Sequence, residues 1–275
     1  MVVCYVDGVF KALHEVSLPL SDLAFQRGVG IFETIRTYDR RPMALSPHLE
    51  RLASSAAGCR IALPLPLEDM KGIIRKGIDL VDGEVKIRPF ITGGDAIDNE
   101  LGFTRPRLFI FFEPLCPLPE KDFREGASLH PVDQTRPMAN IKSINYLESF
   151  LPLAEAPEAL EVLYCPGGEI TESSHSNAFM VTAGKIVTAP EERVLPGTMR
   201  RMTLEIARDA GFPVEERCPL RDELPLCAEF FITGSIKEIL PVVRIGKTAV
   251  GGGKPGPVSA HLRRLYLRNL ERWRE

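Results

Sequence analysis

The chain has 275 residues, of which 44% are hydrophobic, and 34 basic and 37 acidic side chains give it a formal net charge of -3. This size and composition predict a folded protein with a substantial core, in one large domain or two smaller ones. Because charges of both signs are interspersed, no strong field builds up for nucleic acid or for an anionic membrane surface. Small molecules are therefore the expected ligands.

Targeting signals and cysteine spacing bear on the compartment. No apolar run approaches the length of a membrane span, and the first residues, MVVCYVDGVF, lack the charged start and the cleavage site of a signal peptide. The six cysteines lie far apart, with no CxxC pair and no histidine at ligand spacing beside them. We therefore expect a cytoplasmic protein with reduced thiols, no metal site and no membrane partner.

In chain order, the first part of the sequence predicts short strands and two helices. The earlier helix covers LSPHLERLASSAAG, with Ser46 as its N-cap, Pro47 at its first helical position, N1, and Gly58 as its end. Its expected buried stripe consists of Leu49, Leu52, Ala53 and Ala56. A second helix, near Leu67 to Leu80, leads into two apolar strands, EVKIRPFIT and RLFIFFEPL.

A proline-rich stretch after the second apolar strand predicts a domain boundary. We place an N-terminal α/β domain at residues 1–113, a linker at 114–121 and a larger C-terminal domain at 122–275. The C-terminal part begins with predicted strands near Ala127 to Val132, Glu161 to Cys165 and Phe179 to Val181. Turn signals at CPGGE and TAGK suggest hairpins, and hence a largely antiparallel or mixed sheet.

The last part of the chain predicts two more strands and two more helices. The strands are AEFFIT and LPVVRI, and the helices are PGTMRRMTLEIARDAG and a segment from about Pro257 to the end. A flexible segment, GGGKPGP, precedes the last helix. The pattern as a whole predicts an α+β protein in two parts.

Lys142 lies in MANIKSINYLESF, where it is flanked by Ile141 and Ile144 and where Glu148 is the only other charged residue. A strand-like stretch is expected to end here and a helix to begin. Burial disfavours the charged ammonium, so a buried lysine loses its proton more easily and can attack a carbonyl carbon, as Schiff-base chemistry requires. The alternative for this segment alone is a lysine that extends its ammonium to water.

Seven separate motifs occur along nearly the full length of the chain. They are AFQRGVGIFETIRT, HLERLASSA, KIRPFITGG, IKSINYLESF, EITESSHSNAFMV, VLPGTMRRM and FFITGSIKEILPV. In order and spacing, this set resembles the class IV (fold type IV) aminotransferases that depend on pyridoxal 5'-phosphate. That family includes branched-chain aminotransferases, D-amino acid aminotransferases and aminodeoxychorismate lyases. The resemblance implies a small N-terminal α/β domain, a larger C-terminal domain that binds pyridoxal 5'-phosphate, and a homodimer.

The resemblance also implies roles for three charged residues. Lys142 matches the lysine that forms a Schiff base with the cofactor and then moves the proton between the substrate Cα and the cofactor C4'. Glu172 matches the carboxylate that faces the pyridine nitrogen and keeps this nitrogen protonated. Arg51 matches the arginine that binds the phosphate through forked hydrogen bonds.

The remaining cofactor contacts implied by the resemblance are made by backbone amides and by hydroxyl groups. The backbone amides of Thr198 and Met199 open a helix whose positive dipole end suits a phosphate, and Ser235 adds a hydroxyl. Many family members read GITR where this chain reads GTMR, so the Thr198 hydroxyl is displaced by one position. Tyr146 matches the tyrosine that contacts the cofactor's phenolic oxygen in the branched-chain type, although its spacing from the lysine is one residue shorter.

The candidate substrate-binding residues are Arg27, Phe32, Lys86 and Arg88. The branched-chain type has tyrosines where this chain has Arg27 and Lys86, and the Arg-x-His carboxylate trap of the familiar D-amino acid type is missing from TGGDAIDNE. Arg27 and Arg88 remain, and two arginines suit a dicarboxylate, or an α-carboxylate held from one side. This arrangement resembles the atypical D-amino acid transaminases that replace the usual trap with arginines. Ion pairs of these arginines with Glu33 or Asp95 are the structural alternative.

The expected function is transamination between a D-amino acid, such as D-alanine or D-glutamate, and a 2-oxo acid, such as 2-oxoglutarate or pyruvate. An L-branched-chain aminotransferase is the first alternative, because the RPFITGG strand and Tyr146 are typical of that type. An aminodeoxychorismate lyase is disfavoured, because these lyases typically carry arginine at the position of Tyr146. A cofactor-binding protein without turnover is a further alternative, against which the presence of both Lys142 and Glu172 argues.

Overall fold

The computed structural model describes residues 2–98 and 102–275, so the last two residues of the segment TGGDAIDNE lie outside the described residues. The chain divides into two compact units. Unit 1 comprises Met1–Cys116, Ile141–Asn145 and Leu270–Glu275, and unit 2 comprises Pro117–Asn140 and Tyr146–Asn269. Unit 2 thus starts inside the predicted linker, whereas the segments 141–145 and 270–275 group with unit 1. The boundaries of the predicted domains themselves remain a prediction.

Unit 1 is an α/β unit built on one main sheet. Its helices and strands are β1 (Val3–Val6), β2 (Val9–Ala12), α1 (Leu23–Arg27), β3 (Gly30–Phe32), β4 (Ile35–Tyr38), β5 (Arg41–Pro42), α2 (Leu45–Gly58), α3 (Leu67–Ile78), β6 (Val85–Thr92), β7 (Ala96–Asp98), β8 (Gly102–Thr104) and β9 (Leu108–Pro114). Within the described residues, the main sheet has the order β2-β1-β9-β6-β4-β5, with β3 also paired to β6. Its strand pairs are antiparallel.

The two faces of this sheet have different partners. On β6, Ile87 and Ile91 are fully buried and join the core that also contains Leu49 and Leu52 of α2. Because side chains alternate along a strand, Arg88 projects from the opposite face, as do the neighbours two positions away. That face is only half-buried along β6. The sheet therefore packs its apolar face on α2 and α3 and leaves cationic and aromatic side chains on the other face.

The start of α2 differs from the prediction. The helix begins at Leu45 with Ala44 in its N-cap position, at φ 49°, so the expectation of Ser46 as the N-cap is wrong. Ser46 lies inside the first turn, where its backbone N–H and its hydroxyl donate to the carboxylate of Glu275 at 2.8 and 2.5 Å. A carboxylate from the other end of the sequence thus satisfies an N–H group that a local serine was expected to satisfy. The helix does end at Gly58, as predicted.

Unit 2 contains a larger sheet with helices. Its elements are α4 (Glu120–Glu125), β10 (Ala127–Val132), α5 (Leu147–Ala154), β11 (Glu161–Tyr164), β12 (Asn177–Thr182), β13 (Lys185–Thr188), α6 (Thr198–Asp209), β14 (Val214–Glu216), β15 (Glu229–Gly234), β16 (Glu238–Ile245), β17 (Thr248–Ala249) and α7 (Pro257–Arg268). In the part of the chain that the structure describes, the strand order is β11-β10-β16-β15-β12-β13-β14, and β17 pairs with β16.

The sheet of unit 2 is mixed, as predicted. Strand β10 runs parallel to β11 and β16, and β13 runs parallel to β14, whereas β12, β15 and β16 pair antiparallel. The TAGK turn joins β12 to β13 in an antiparallel hairpin, with Ala183 and Gly184 at φ 47° and 75°. Two positive φ values are what a two-residue hairpin turn requires. The α+β class that the sequence predicts is therefore the fold observed.

Two other local predictions need correction. The segment before Lys142 forms a turn and a bend rather than a strand, with a single bridge between Ser143 and Ile31 of β3. The last helix ends at Arg268 rather than at the chain end, and a short 3-10 turn, Leu270–Arg272, follows it. Among the helices of residues 2–98 and 102–275, none has the length and apolarity needed to cross a membrane.

Candidate active site

Lys142 is held in unit 1 by backbone hydrogen bonds. Its carbonyl accepts from the Phe32 N–H at 3.0 Å, and its own N–H donates to the Ser55 hydroxyl at 3.2 Å. The residue is 9% exposed, and its Nζ lies 4.6 Å from the centre of the Phe32 ring. The predicted burial is confirmed, and the amine lies over an aromatic face rather than extending to water.

A buried ionic network lies beside this segment in unit 1. Glu33 is fully buried and accepts two hydrogen bonds from Arg51, from Nε and from Nη2, each at 2.7 Å. Its second oxygen also lies 2.8 Å from Nδ1 of His48. Helix α2 carries Arg51 and His48 three residues apart, so both side chains lie on the face that meets Glu33. This arrangement fixes the plane of the Arg51 guanidinium.

The charge states of this network follow from burial and from its neighbours. Burial by itself raises the pKa of Glu33, but the charge of Arg51 and hydrogen bonds from Arg51 and His48 hold this pKa well below its usual range. Burial also lowers the pKa of His48, and the charges of Arg51 and Lys142 act in the same direction, against the opposing effect of Glu33. At neutral pH, Glu33 is therefore an anion and His48 is neutral.

The cationic side chains of β6 are paired with β9. Arg88 donates from Nε to Glu113 at 2.7 Å, and Nζ of Lys86 lies 3.4 Å from the same carboxylate oxygen. The structural alternative of ion pairs with Glu33 or Asp95 is wrong, because Glu33 binds Arg51 and Asp95 binds Arg107 and Arg105. Glu113 lies directly opposite Lys86 in the antiparallel register, which explains this pairing.

A cavity of about 450 Å³ lies in unit 1, and Arg88 is in its wall. Most of the other lining side chains are apolar or aromatic, and they include Phe90, Phe111 and Ile144. The Arg88 guanidinium lies 5.5 and 5.6 Å from the ring centres of Phe90 and Phe111, and Phe90 stacks on Phe32 at 5.4 Å. Aromatic contacts thus connect the wall of this cavity with the ring that underlies the Lys142 amine.

Arg27 has a different environment from Arg88. It ends the short helix α1, its side chain is exposed, and its guanidinium donates to the neighbouring carbonyl of Gln26 at 2.8 Å. It is not one of the described residues that line the cavity. Of the two arginines singled out in the sequence, Arg88 therefore lies in the wall of this cavity and Arg27 does not.

In unit 2, Glu172 is a buried carboxylate with several donors. Nη1 of Arg136 lies 2.8 Å from one of its oxygens, and the backbone N–H of Leu195 donates to the other at 3.1 Å. Nδ2 of Asn177 is 3.4 Å from that second oxygen and donates to the Leu195 carbonyl at 2.9 Å. Burial by itself lowers the pKa of Arg136, but the charge of Glu172 and its hydrogen bond outweigh burial and leave this pKa raised. Glu172 is thus held in one position by charge and by hydrogen bonds.

Tyr146 precedes helix α5 and stacks on a histidine. The rings of Tyr146 and His175 are 4.8 Å apart and inclined by 14°. Burial raises the pKa of the Tyr146 hydroxyl to about 12, although the nearby charge of Arg136 acts in the opposite direction. The hydroxyl therefore keeps its proton at neutral pH and is available as a hydrogen-bond donor.

The predicted phosphate-binding segments lie at the ends of unit 2 elements. Thr198 and Met199 are the first two residues of α6, so their backbone N–H groups are among those without an intrahelical acceptor. Both residues are buried. Gly197 precedes them, and a side chain there would collide with the Asn177 amide. Ser235 follows directly after β15.

Sequence reasoning missed the residues that hold the predicted ones in place. These are His48 and Glu33 for Arg51, Glu113 for Arg88, Arg136 and Asn177 for Glu172, and His175 for Tyr146. Four of them were within motifs quoted above: Glu33 in AFQRGVGIFETIRT, His48 in HLERLASSA, and His175 and Asn177 in EITESSHSNAFMV. The spacing of His48 and Arg51 by three was a further usable signal. Within the described parts of the chain, no three His, Cys, Asp or Glu side chains are grouped so that they could hold a metal ion.

Comparison with known proteins identifies the family. The amino-transferase class IV family matches residues 30–245. A D-alanine aminotransferase of Bacillus licheniformis is 29% identical over 266 residues, with 93% of each chain covered. A solved branched-chain amino acid aminotransferase from T.th., with pyridoxamine 5'-phosphate, has a TM-score of 0.89 at 28% identity, covering 98% of this chain and 93% of its own. That of Escherichia coli has a TM-score of 0.86 at 25% identity, covering 96% and 92%.

The chain belongs to the amino-transferase class IV family. It is an aminotransferase that depends on pyridoxal 5'-phosphate. The groups present in the two units suit that cofactor chemically. They offer a buried amine, a buried carboxylate held by an arginine, a guanidinium fixed by a carboxylate, and the N-terminus of a 12-residue helix.

Proposed function

We propose that this enzyme transfers an amino group between a D-amino acid, such as D-alanine or D-glutamate, and a 2-oxo acid, such as pyruvate or 2-oxoglutarate. The observation that carries the proposal is the position of Arg88, a guanidinium in the wall of an otherwise mostly apolar cavity of unit 1. Such a cation can form a charge-assisted pair with a substrate carboxylate. The similarity to a D-alanine aminotransferase, at 29% identity, supports the same substrate class.

The predicted cofactor-binding residues would contact three parts of pyridoxal 5'-phosphate. Arg51, whose guanidinium Glu33 keeps in one plane, would bind the phosphate together with the Thr198 and Met199 amides and the Ser235 hydroxyl. Glu172 would face the ring nitrogen, with Arg136 and the Leu195 N–H holding its carboxylate in place. Tyr146 would donate to the phenolic oxygen, because its raised pKa keeps the hydroxyl protonated.

Lys142 would perform the proton transfer. When bound, pyridoxal 5'-phosphate supplies an aldehyde carbon that an amine can attack and a ring that withdraws electrons from the substrate Cα. The Nζ of Lys142 would be the nucleophile toward that carbon and, as a neutral amine, would accept the substrate Cα proton and later release it. Phe32 beneath the amine shields one side of it from water.

Substrate orientation decides which enantiomer reacts. With the cofactor ring held in one orientation by the cofactor-binding residues, the side on which the α-carboxylate is held would determine which enantiomer presents its Cα hydrogen to Lys142. We assign the carboxylate contact to Arg88, with Lys86 adding positive charge nearby and Phe32 lining the site. Arg27, which is exposed at the end of α1, is the second candidate for this contact.

An L-branched-chain aminotransferase is the second candidate function. The specific observation in its favour is the apolar character of the cavity in unit 1, whose wall includes Leu13, Val16 and Leu18 besides the phenylalanines. A branched aliphatic side chain would fit such a wall. The solved branched-chain enzymes with similar folds are consistent with this alternative.

We further propose that the enzyme is a cytoplasmic homodimer. All six cysteines are free thiols, which is usual for a reducing compartment. Helix α5 exposes the large apolar side chains of Leu147, Phe150 and Leu151, which a second copy of the chain would cover.

The half-reaction tests the substrate class directly. Purified enzyme is mixed separately with D-alanine, D-glutamate, L-leucine or L-glutamate, and the loss of visible absorbance of the bound cofactor is followed. We expect faster conversion by the D-amino acids; conversion by L-leucine alone would assign the second candidate function instead. Lys142→Ala should lower the rate at least about 100-fold, whereas Lys185→Ala, a surface lysine paired with Glu215, should not change it.

The role of Arg88 is tested by the substrate dependence of the same reaction. Arg88→Leu should raise KM for D-glutamate about tenfold, because a charge-assisted pair is lost. Arg264→Leu, which removes an exposed arginine of α7, should leave this KM unchanged. An unchanged KM in Arg88→Leu would place the carboxylate contact elsewhere.

A further inference from the structure

The ring of His175 contacts the ring of Tyr146 face to face in unit 2. The two ring centres are 4.8 Å apart at an interplanar angle of 14°. A stacked neighbour restricts rotation of the tyrosine side chain and therefore restricts where its hydroxyl points. The imidazole itself is exposed to solvent, so core packing does not account for its position.

The position of His175 is fixed by its own hydrogen bonds. Its backbone N–H donates to the buried carboxylate of Glu161 at 2.9 Å, and its Nδ1 lies 3.0 Å from the Ser174 hydroxyl. Glu161 also accepts from the hydroxyls of Ser173 and Ser176, at 2.5 and 2.8 Å. The loop that carries His175 is thus anchored on both sides of the residue, and this rigid loop presents the ring to Tyr146.

We propose that His175 is a positioning residue: by stacking on Tyr146 it holds the tyrosine hydroxyl where it can donate to the phenolic oxygen of the cofactor. This inference rests on the proposed function, in which Tyr146 makes that contact. His175 needs no contact with the cofactor or the substrate in this role. It acts through the tyrosine ring alone.

The electrostatic surroundings of Tyr146 suit a donor. Besides burial, the charges that act on its hydroxyl are those of Arg136, Glu161, Glu172 and Tyr164, and together they leave its pKa raised. A hydroxyl that keeps its proton can donate to an anionic oxygen over the whole neutral range. A donor that is held in place stabilises the anionic form of the phenolic oxygen. It therefore lowers the pKa of the ionisation that changes the visible absorbance of the bound cofactor, called the visible transition below.

The test is a spectrophotometric pH titration of the holoenzyme. In His175→Ala we expect the pKa of the visible transition to rise by about half to one unit, because the loss of an aromatic pair has roughly that effect. His175→Phe, which restores a stacking ring, should return the pKa to the wild-type value. His261→Ala is the matched control: its ring is 6.1 Å from that of Phe212 at an angle of 58°, and its loss should leave the transition unchanged.

A double-mutant cycle separates positioning from a merely structural role. Tyr146→Phe removes the hydroxyl, so adding His175→Ala to it should produce no further change in the transition or in the dissociation constant of the cofactor. Additive effects of the two substitutions, or a His175→Phe variant that behaves like His175→Ala, would overturn the proposal. The proposed function fails separately, if Lys142→Ala retains the visible absorbance and transamination of the wild type.

Discussion

The carboxylate of Glu33 has no contact with solvent and holds Arg51 through two hydrogen bonds of 2.7 Å. Removing one partner of a buried ion pair leaves an uncompensated buried charge, which lowers the free energy of unfolding by about 3 to 5 kcal/mol. We therefore expect Glu33→Gln to destabilise the apoprotein by about that amount. The same variant should bind pyridoxal 5'-phosphate more weakly, because Arg51 is no longer held in one plane.

Urea unfolding and a cofactor titration measure these two effects. The matched control is Glu68→Gln, since Glu68 forms an ion pair of the same length, 2.7 Å, with Lys71, but is 79% exposed. An exposed pair contributes no more than about 1 kcal/mol. Equal losses of unfolding free energy in the two variants would show that burial of the Glu33 pair adds nothing.

At the residue scale, the sequence predicted the reactive side chains better than their partners. The burial of Lys142 follows from Ile141 and Ile144, which flank it, so local apolar context was sufficient. The partner of Arg88 was assigned incorrectly, because Glu113 lies opposite Lys86 only once β6 and β9 are paired in register. Strand register depends on packing that no single segment encodes.

At the scale of elements, Glu161 connects two loops of unit 2. This first residue of β11 accepts from the loop 173–176 through both of its carboxylate oxygens. Its Oε1 also lies 2.7 Å from Nζ of Lys237, between β15 and β16. Burial by itself raises the pKa of Glu161, but the charges of Lys237 and His175 and the hydrogen bonds lower it to about 2. Both loops lie beside predicted cofactor ligands, Glu172 and Ser235.

This lowered pKa predicts how stability depends on pH. The pKa of Glu161 falls from 4.5 to about 2 on folding, so its contribution is complete above pH 4.5 and is lost as the pH falls toward 2. The shift corresponds to a contribution on the order of 3 kcal/mol. We expect the difference in unfolding free energy between wild type and Glu161→Gln to shrink by roughly that amount between pH 6 and pH 2.5.

Denaturant unfolding at these two pH values provides the measurement. Glu120→Gln is the control, because Glu120 pairs with Arg263 at 2.7 Å but is 67% exposed. Its difference from wild type should be small at both pH values. A difference for Glu161→Gln that is the same at pH 6 and pH 2.5 would contradict the assignment of an ionised, stabilising carboxylate.

The boundaries of elements were predictable where the signal was local. The TAGK hairpin and the helix within PGTMRRMTLEIARDAG follow from turn residues and periodicity, and both are confirmed, although α6 begins only at Thr198. The N-cap of α2 was wrong, because the group that satisfies Ser46 comes from Glu275, 229 positions away. Local rules for helix starts cannot include a partner that folding brings from the end of the chain.

At the scale of the whole molecule, the two-part α+β organisation was predictable and the path of the chain was not. Unit 2 begins at Pro117, within the proline-rich stretch that follows β9. The return of 141–145 to unit 1 depends on Ile141, which packs in the same core as Leu52 and Ile87. Nothing in the hydrophobic pattern of MANIKSINYLESF distinguishes one core from another, so composition alone could not assign this segment.

The exposed face of α5 leads to a prediction about assembly. Leu147, Phe150 and Leu151, spaced as i, i+3 and i+4, are 60 to 64% exposed. An isolated chain rarely leaves such an apolar stripe in water, and two copies that cover it would bury both stripes. We therefore expect the wild type to sediment with twice the chain mass of 30.5 kDa.

The double variant Phe150→Lys with Leu151→Lys should dissociate to the monomer, because each copy would place two charges in the interface. Leu226→Lys, which alters a leucine that is 84% exposed elsewhere in unit 2, is the control and should remain dimeric. A wild type that stays monomeric at every concentration measured would exclude the homodimer, and a double variant that stays dimeric would place the interface on another face.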